Sequence, residues 1–151
     1  MSDKILQVKN LCVSFSSYAG KVQAVRDVSF DLYRGETLSI VGESGSGKSV
    51  TTKAVLGILS GNATIESGEI LYNGADLAKF QDKDFADIRG KKISLVFQDP
   101  LSALNPIMKI GKQIVEALVL SGSTPKGEAK EKALDLMRRV GIPQPEIRFN
   151  Q

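Results

Sequence analysis

The chain has 151 residues, 42% hydrophobic and 25% charged, with 20 Lys and Arg against 17 Asp and Glu for a net charge of +3; this suits one ordinary soluble domain and excludes global disorder. The basic excess is small and dispersed, its longest runs being Lys91-Lys92 and Arg138-Arg139, so charge gives no argument for nucleic acid. A single cysteine, Cys12, and the absence of histidine exclude an internal disulfide, a cysteine-only or histidine-ligated zinc site, a Ser-His-Asp triad and a histidine general base within these residues.

No segment reaches the roughly 20 apolar residues of a membrane helix. The opening Met1-Ser2-Asp3-Lys4 lacks the apolar stretch of a signal peptide. A cytosolic chain is therefore expected. From Lys4 to Phe15 apolar and polar residues mostly alternate after Leu6, a half-buried strand. Turn residues follow, then a second alternating run through Val25, Val28, Phe30 and Leu32, closed by Arg34-Gly35. Together these predict an antiparallel hairpin. Leu38-Ser39-Ile40-Val41 is short and mostly apolar, as for a strand buried on both faces. A helix is predicted from about Lys48, with Val50, Ala54, Val55, Ile58 and Leu59 on one broad face and Gly61 at its C′ position.

Glu69 to Tyr72 reads as a short strand ended by Asn73-Gly74, a tight-turn signal. Asp82 to Arg89 is weakly helical, and Ile93 to Phe97 is a second apolar strand stopped by Gln98-Asp99-Pro100. From Ile107 the period is helical, with Ile110, Ile114, Ala117 and Leu118 in one stripe, until Ser121-Gly122 breaks it. Thr124 as N-cap and Pro125 at N1 predict the next helix start. Its apolar face is Ala129, Ala133, Leu136, Met137 and Val140, and Gly141 ends it. Ile110, Ile114 and Leu118 should pack on Ala129, Ala133 and Leu136. Ile142 to Gln151, with Pro143 and Pro145, shows no period.

The chemistry sits in Gly42-Glu43-Ser44-Gly45-Ser46-Gly47-Lys48-Ser49, a P-loop pattern between an apolar strand and an amphipathic helix. A polyphosphate carries several negative charges at close range, so the loop must wrap it with backbone N–H groups. Small residues permit that approach: Ser44, Gly45, Ser46 and Gly47. The helix that follows turns its N-terminal dipole and free N–H groups, including that of Val50, toward the phosphates. Lys48 supplies a point charge between the β and γ phosphates, and Ser49 a hydroxyl ligand for Mg²⁺. ATP and Mg²⁺ are the expected ligands.

With these residues in place, the chain resembles the amino-terminal part of an ATP-binding cassette (ABC) transporter ATP-binding subunit. GESGSGKS is the form of the loop common in that family. The block Val96-Phe97-Gln98-Asp99-Pro100-Leu101-Ser102-Ala103-Leu104-Asn105-Pro106 and the run Arg139 to Pro143 are similar to importers of oligopeptides, dipeptides and nickel. The resemblance implies an α/β fold: a RecA-like P-loop NTPase core with an antiparallel β subdomain over residues 1–98. The start of a helical, membrane-subunit docking subdomain would occupy 99–151. It implies an ATPase subunit coupling ATP binding and hydrolysis to uptake of oligopeptides or dipeptides. Lys48 and Gln98 are its catalytic candidates, with Gln98 contacting Mg²⁺ beside Ser49 and relaying nucleotide state. The family's adenine-stacking aromatic lies in the first hairpin, where spacing favours Phe15, with Tyr18 second.

The resemblance further implies transmembrane permease subunits and a second ATP-binding subunit as partners, no nucleic acid, and a peripheral place on the cytoplasmic face of the inner membrane. The segment from Gln98 to Lys109, kept non-helical by Pro100 and Pro106, should stay exposed and contact the permease, with Ser102 a crosslinking position. The family's acidic pair after a later strand, its signature loop and its switch histidine are not among these residues. The chain therefore reads as a fragment that binds nucleotide without turning it over and tends to self-associate through open strand edges. Two other readings compete: a cassette ATPase acting on nucleic acid or ribosomes, and a small P-loop kinase. The Gln98-Asp99-Pro100 block argues against the first; the lack of an Arg-rich lid after Gln98 argues against the second.

Overall fold

A computed structural model describes residues 3–99 and 103–151; the crosslinking position Ser102 and Pro100 lie outside the described residues. The chain divides into two units, Met1–Ala86 and Asp87–Gln151, described in turn. The alternating runs form the predicted hairpin, β1 (Lys4–Ser17) and β2 (Gly20–Tyr33). Ser17 pairs with Gly20 across a two-residue turn, and the Ser17 hydroxyl donates to the Gly20 carbonyl at 2.8 Å. α1 (Lys48–Val55), β3 (Ala63–Tyr72) and a two-residue β4 (Ala75–Asp76) follow. The sheet is antiparallel in the order β2-β1-β3-β4. Its buried face carries Val8, Leu11, Val13 and Ile70, all at most 1% exposed, with Ala54, Val55 and Leu56 also buried. α1 packs against β2 and the turn at Leu77–Lys79.

β3 begins six residues before the predicted strand. Gly61-Asn62 and Ser67-Gly68 look like loop in sequence, but Ala63 to Ser67 pair with Cys12 to Phe15. The strand absorbs Gly68 because β1 bulges opposite it. Asn10 takes φ +45, the ladder registers shift on both sides of it, and its amide Nδ2 donates to Asp27 at 2.7 Å. Asn73-Gly74 makes the predicted tight turn, with φ +48 and +85.

The predicted helix is shorter than its apolar face. Gly57 at φ +62, not Gly61, is the left-handed C′ residue. The Ile58 N–H donates to Lys53 O at 3.0 Å and the Gly57 N–H to Ala54 O at 3.1 Å, the Schellman pair that stops α1. Leu38 to Val41 joins no ladder, and Leu38, Ile40 and Val41 are 41%, 43% and 91% exposed. The apolar run states a preference for burial; a strand also needs a partner, and none pairs with it among the described residues.

Asp76 pins the end of this sheet. Its Oδ1 accepts from the N–H of Ile70 and of Ala78, each at 3.1 Å, and Lys79 lies 2.9 Å from Oδ2. Burial pushes the carboxyl pKa up, but the Lys79 ammonium and the two N–H groups outweigh it and hold the pKa below the ordinary Asp value. A depressed folded pKa contributes stability above the unfolded value and loses it as pH falls through the folded one. Asp76→Ala is expected to cost about 1–3 kcal/mol at pH 7, the penalty of orphaned N–H groups. Urea midpoints should show part of that deficit shrinking below about pH 4; a deficit independent of pH would rule the ionised carboxylate out.

The first unit closes on a 3-10 helix, Asp82–Asp87, whose last residue opens the second; there Ile93 makes a single bridge to Arg89 in place of the predicted strand. Val96 is 91% exposed for the same reason as Val41. α2 (Ile110–Leu120) and α3 (Ala129–Arg139) pack on each other as predicted. Ala129, Ala133 and Met137 are buried, at i, i+4 and i+8, while Ile110, Ile114 and Leu118 are half-buried. α3 starts at Ala129 rather than at Pro125, and Glu128 stands as its N-cap without a side-chain bond. Gly127 inside the first predicted turn makes helix there costly. Gly141 at φ +77 ends α3 as predicted, but Val140 is 73% exposed and off the apolar face. Ile142 to Gln151 holds a one-turn helix, α4 (Pro145–Arg148), that its sequence does not signal. Among the described residues no helix is long and apolar enough to cross a membrane.

Candidate functional site

The loop from Gly42 to Ser49 is built as its residue types require. Gly47 caps α1 at φ +91, and a Cβ there would sit 2.5 Å from the Ala24 carbonyl oxygen on β2. Only glycine lets the loop seat on that strand. Gly45, at φ +82, faces open space, so its requirement is conformational. Gly42 lies close to the Ser46 side chain, which a Cβ would approach to 2.8 Å. The Ser46 N–H donates to Glu43 O at 3.2 Å, which closes the loop.

The first bond of α1 runs from the Thr51 N–H to Gly47 O at 2.9 Å. The N–H groups of Lys48, Ser49 and Val50 therefore lie ahead of the intrahelical ladder, and no acidic side chain occupies that first turn. Thr51 was not marked by the sequence pattern. It is 4% exposed, and its hydroxyl donates to Gly47 O at 3.0 Å, bracing the loop from behind. A polar residue four positions after the last loop glycine, on the buried face of the helix, is the signal that could have found it.

The Lys48 ammonium turns back over the loop. It donates to Gly42 O at 2.7 Å, to Glu43 O at 2.6 Å and to Ser46 Oγ at 3.1 Å. Lys48 and the exposed Ser49 line an open depression of ≈ 340 Å³ with Leu38, Ile40 and Thr52. An ammonium and a hydroxyl in one depression at the N-terminus of α1 suit a polyanion. Ser44, Gly45 and Ser46 are exposed in the preceding loop.

The remaining predicted residues are placed differently. Phe15 is half-buried in β1, paired with Val22 on one side and Ala63 on the other. Tyr18 is fully exposed at the hairpin turn. Gln98 is exposed in the second unit, after the Ile93–Phe97 segment.

Residues 25–150 match the family model described as ABC transporter. The chain is 51% identical, over 98% of its length, to the dipeptide transport ATP-binding protein DppD of Lactococcus lactis subsp. cremoris, of which it covers 43%. It is 49% identical to the oligopeptide transport ATP-binding protein OppD of Bacillus subtilis, over 98% of the chain and 42% of that protein. The chain thus spans less than half the length of the curated relatives it matches. Among solved structures, a bacterial ABC transporter cassette in dimeric form aligns with TM-score 0.78 and 23% identity over 97% of this chain and 60% of that one. That likeness shows the α/β P-loop NTPase fold.

Proposed function

The chain belongs to the ABC transporter family, and we propose that it forms the nucleotide-binding part of an ATPase subunit that drives uptake of dipeptides or oligopeptides. The observation that carries the reading is the Gly42–Ser49 loop seated on β2 at the N-terminus of α1, with Lys48 folded over it. The loop N–H groups bind the phosphate chain of ATP and orient it, and Lys48 neutralises charge between its outer phosphates. The Ser49 hydroxyl, exposed beside Lys48 in the same depression, suits a hard cation, so Mg²⁺ would be held there. Mg²⁺ supplies neutralisation of the phosphate oxygens. For Gln98 the role of nucleotide sensor and metal contact rests on the family motif Gln98-Asp99-Pro100 alone. Permease subunits and a second ATP-binding subunit are the partners, at the cytoplasmic face of the membrane. The names of DppD and OppD support peptide as cargo.

The test is uptake of a labelled dipeptide and a labelled pentapeptide into vesicles carrying the full-length subunit with its permease. Accumulation that requires Mg-ATP is expected. Nucleotide-independent uptake, or none of either peptide, would remove the assignment.

The base contact is tested separately. Phe15→Ala is expected to weaken ATP by about 1–3 kcal/mol, the size of a base–aromatic stack. Stacking tolerates any purine, so GTP should bind within a few-fold of ATP, by roughly the same stacking term. Tyr18 has the freer ring; a larger loss in Tyr18→Ala than in Phe15→Ala, read by isothermal titration, transfers the role to it.

A further inference from the structure

The turn between β3 and β4, Asn73-Gly74, takes no part in the nucleotide loop. It is closed by two pairs, Tyr72 with Ala75 and Leu71 with Asp76, at the edge of the sheet. So short an edge ladder opens locally at little cost. Both turn residues are exposed, and a Cβ built on Gly74 would meet nothing within 4 Å, so no side chain shields its nitrogen. The Asn73 backbone N–H donates to Ile5 O at 3.1 Å. Its side-chain amide makes no hydrogen bond among the described residues.

The chain has five asparagines, and the other four are tied. Asn10 Nδ2 donates to Asp27 at 2.7 Å. Asn62 Oδ1 accepts from the Ser60 hydroxyl at 2.8 Å and its Nδ2 donates to Ser16 O at 3.3 Å. Asn105 Oδ1 accepts from the Ile107 N–H at 3.1 Å, and Asn150 Nδ2 donates to Glu146 O at 3.0 Å. Among the described residues, Asn73 alone combines an untied side-chain amide with glycine as the next residue.

That pairing is reactive. The Gly74 nitrogen, its proton taken by solvent base, attacks Asn73 Cγ. The new N–Cγ bond closes a five-membered imide ring, the Cγ–Nδ2 bond breaks, and ammonia leaves with a proton from solvent. Water then opens the ring at either carbonyl. Opening at Cγ gives aspartate; opening at the backbone carbonyl gives isoaspartate, whose chain runs through Cβ and Cγ and is one atom longer. The positive φ of both residues restricts the attack in the closed turn, so it proceeds from the locally opened one. A longer chain no longer fits a two-residue turn, whose length sets the register of its strands. Asp76 then moves away from Ile70, whose N–H it holds across the ladder at 3.1 Å. Its bond to the Ala78 N–H is local and survives.

We propose that Asn73 is a covalent modification site: its amide is lost by attack of the Gly74 nitrogen, and the isoaspartyl product uncouples Asp76 from Ile70. The full-length protein is incubated in neutral buffer, folded or in urea, and digested with trypsin. Cleavage after Lys53 and Lys79 leaves Asn62 and Asn73 in one peptide, each the control for the other, and fragmentation locates the converted residue. Asn73 should convert in the folded protein within about tenfold of its rate in urea, the cost of opening a short ladder. Asn62, held at both ends of its amide, should be slowed by more.

An Asn73 amide that stays intact in folded protein but converts in urea overturns the proposal. So does equal slowing of Asn62 and Asn73 on folding. The aspartyl and isoaspartyl proteins are then separated and their hydrogen exchange compared. The isoaspartyl form should lose protection at the Ile70 amide and keep it at Ala78. The aspartyl form, with the same charge and normal chain length, should keep both. Ile70 protection retained in the isoaspartyl form, or lost equally in the aspartyl form, overturns the uncoupling.

Discussion

Replacing Lys48 by Ala is expected to lower Mg-ATP affinity by roughly tenfold to a hundredfold, since a charge-assisted contact contributes about 1.5–3 kcal/mol and 1.4 kcal/mol is one decade. The ammonium makes three contacts to its own loop, to Gly42 O, Glu43 O and Ser46 Oγ. A phosphate must displace part of that set, so the measured loss is the difference between the new contacts and those released. Two formal negative charges nearby favour the exchange, because loop carbonyls offer only partial charge. The variant has a second consequence. Without the ammonium the Gly42–Ser46 segment loses its brace, so part of the loss should be entropic. Isothermal titration of wild type and Lys48→Ala with Mg-ATP reads both. Equal affinities would remove this loop from the nucleotide site.

Gly68→Ala is expected to give the largest stability loss of any single methyl group in the sheet, above about 3 kcal/mol. Gly68 holds φ +102, and an added Cβ would lie 2.6 Å from Lys9 O, 2.7 Å from Asn10 O and 2.7 Å from Leu11 Cα. All three are backbone atoms of the bulged strand and cannot rotate away. Gly20 supplies the control. Its φ is +114, and a Cβ there would meet nothing within 4 Å. Gly20→Ala therefore carries the conformational cost alone, about 1–2 kcal/mol. The difference between the two urea midpoints isolates the steric part. Similar losses in both variants would mean that the bulge yields and the close approach is not required.

How much of this was legible depends on the range of the interaction. Asn73-Gly74 announced its turn because both residues tolerate positive φ, a property of two residues alone. The Gly42–Ser49 loop was legible for the same reason: small residues, a lysine and a hydroxyl have their chemistry wherever the chain places them. Apolar runs were less informative. Leu38–Val41 and Ile93–Phe97 have the composition of buried strands, yet neither joins a ladder beyond the Arg89–Ile93 bridge among the described residues. Hydrophobicity records what a segment avoids and is silent on which strand it pairs with. Helix ends failed locally for a related reason. Gly57 and Gly61 are equally able to adopt the C′ conformation, and the Ile58–Lys53 and Gly57–Ala54 bonds decided between them.

The sequence by itself determined the loop, the hairpin, the tight turn, and the apolar faces that bring α2 onto α3, because each follows from spacing within a few residues. Only the tertiary structure decided that β3 extends past Gly68 through a bulge at Asn10 and that Thr51 braces the loop. Each depends on a hydrogen bond or a close approach between groups whose meeting is set by how the chain folds back. A threonine or a glycine has no signature for that meeting until the geometry supplies its partner.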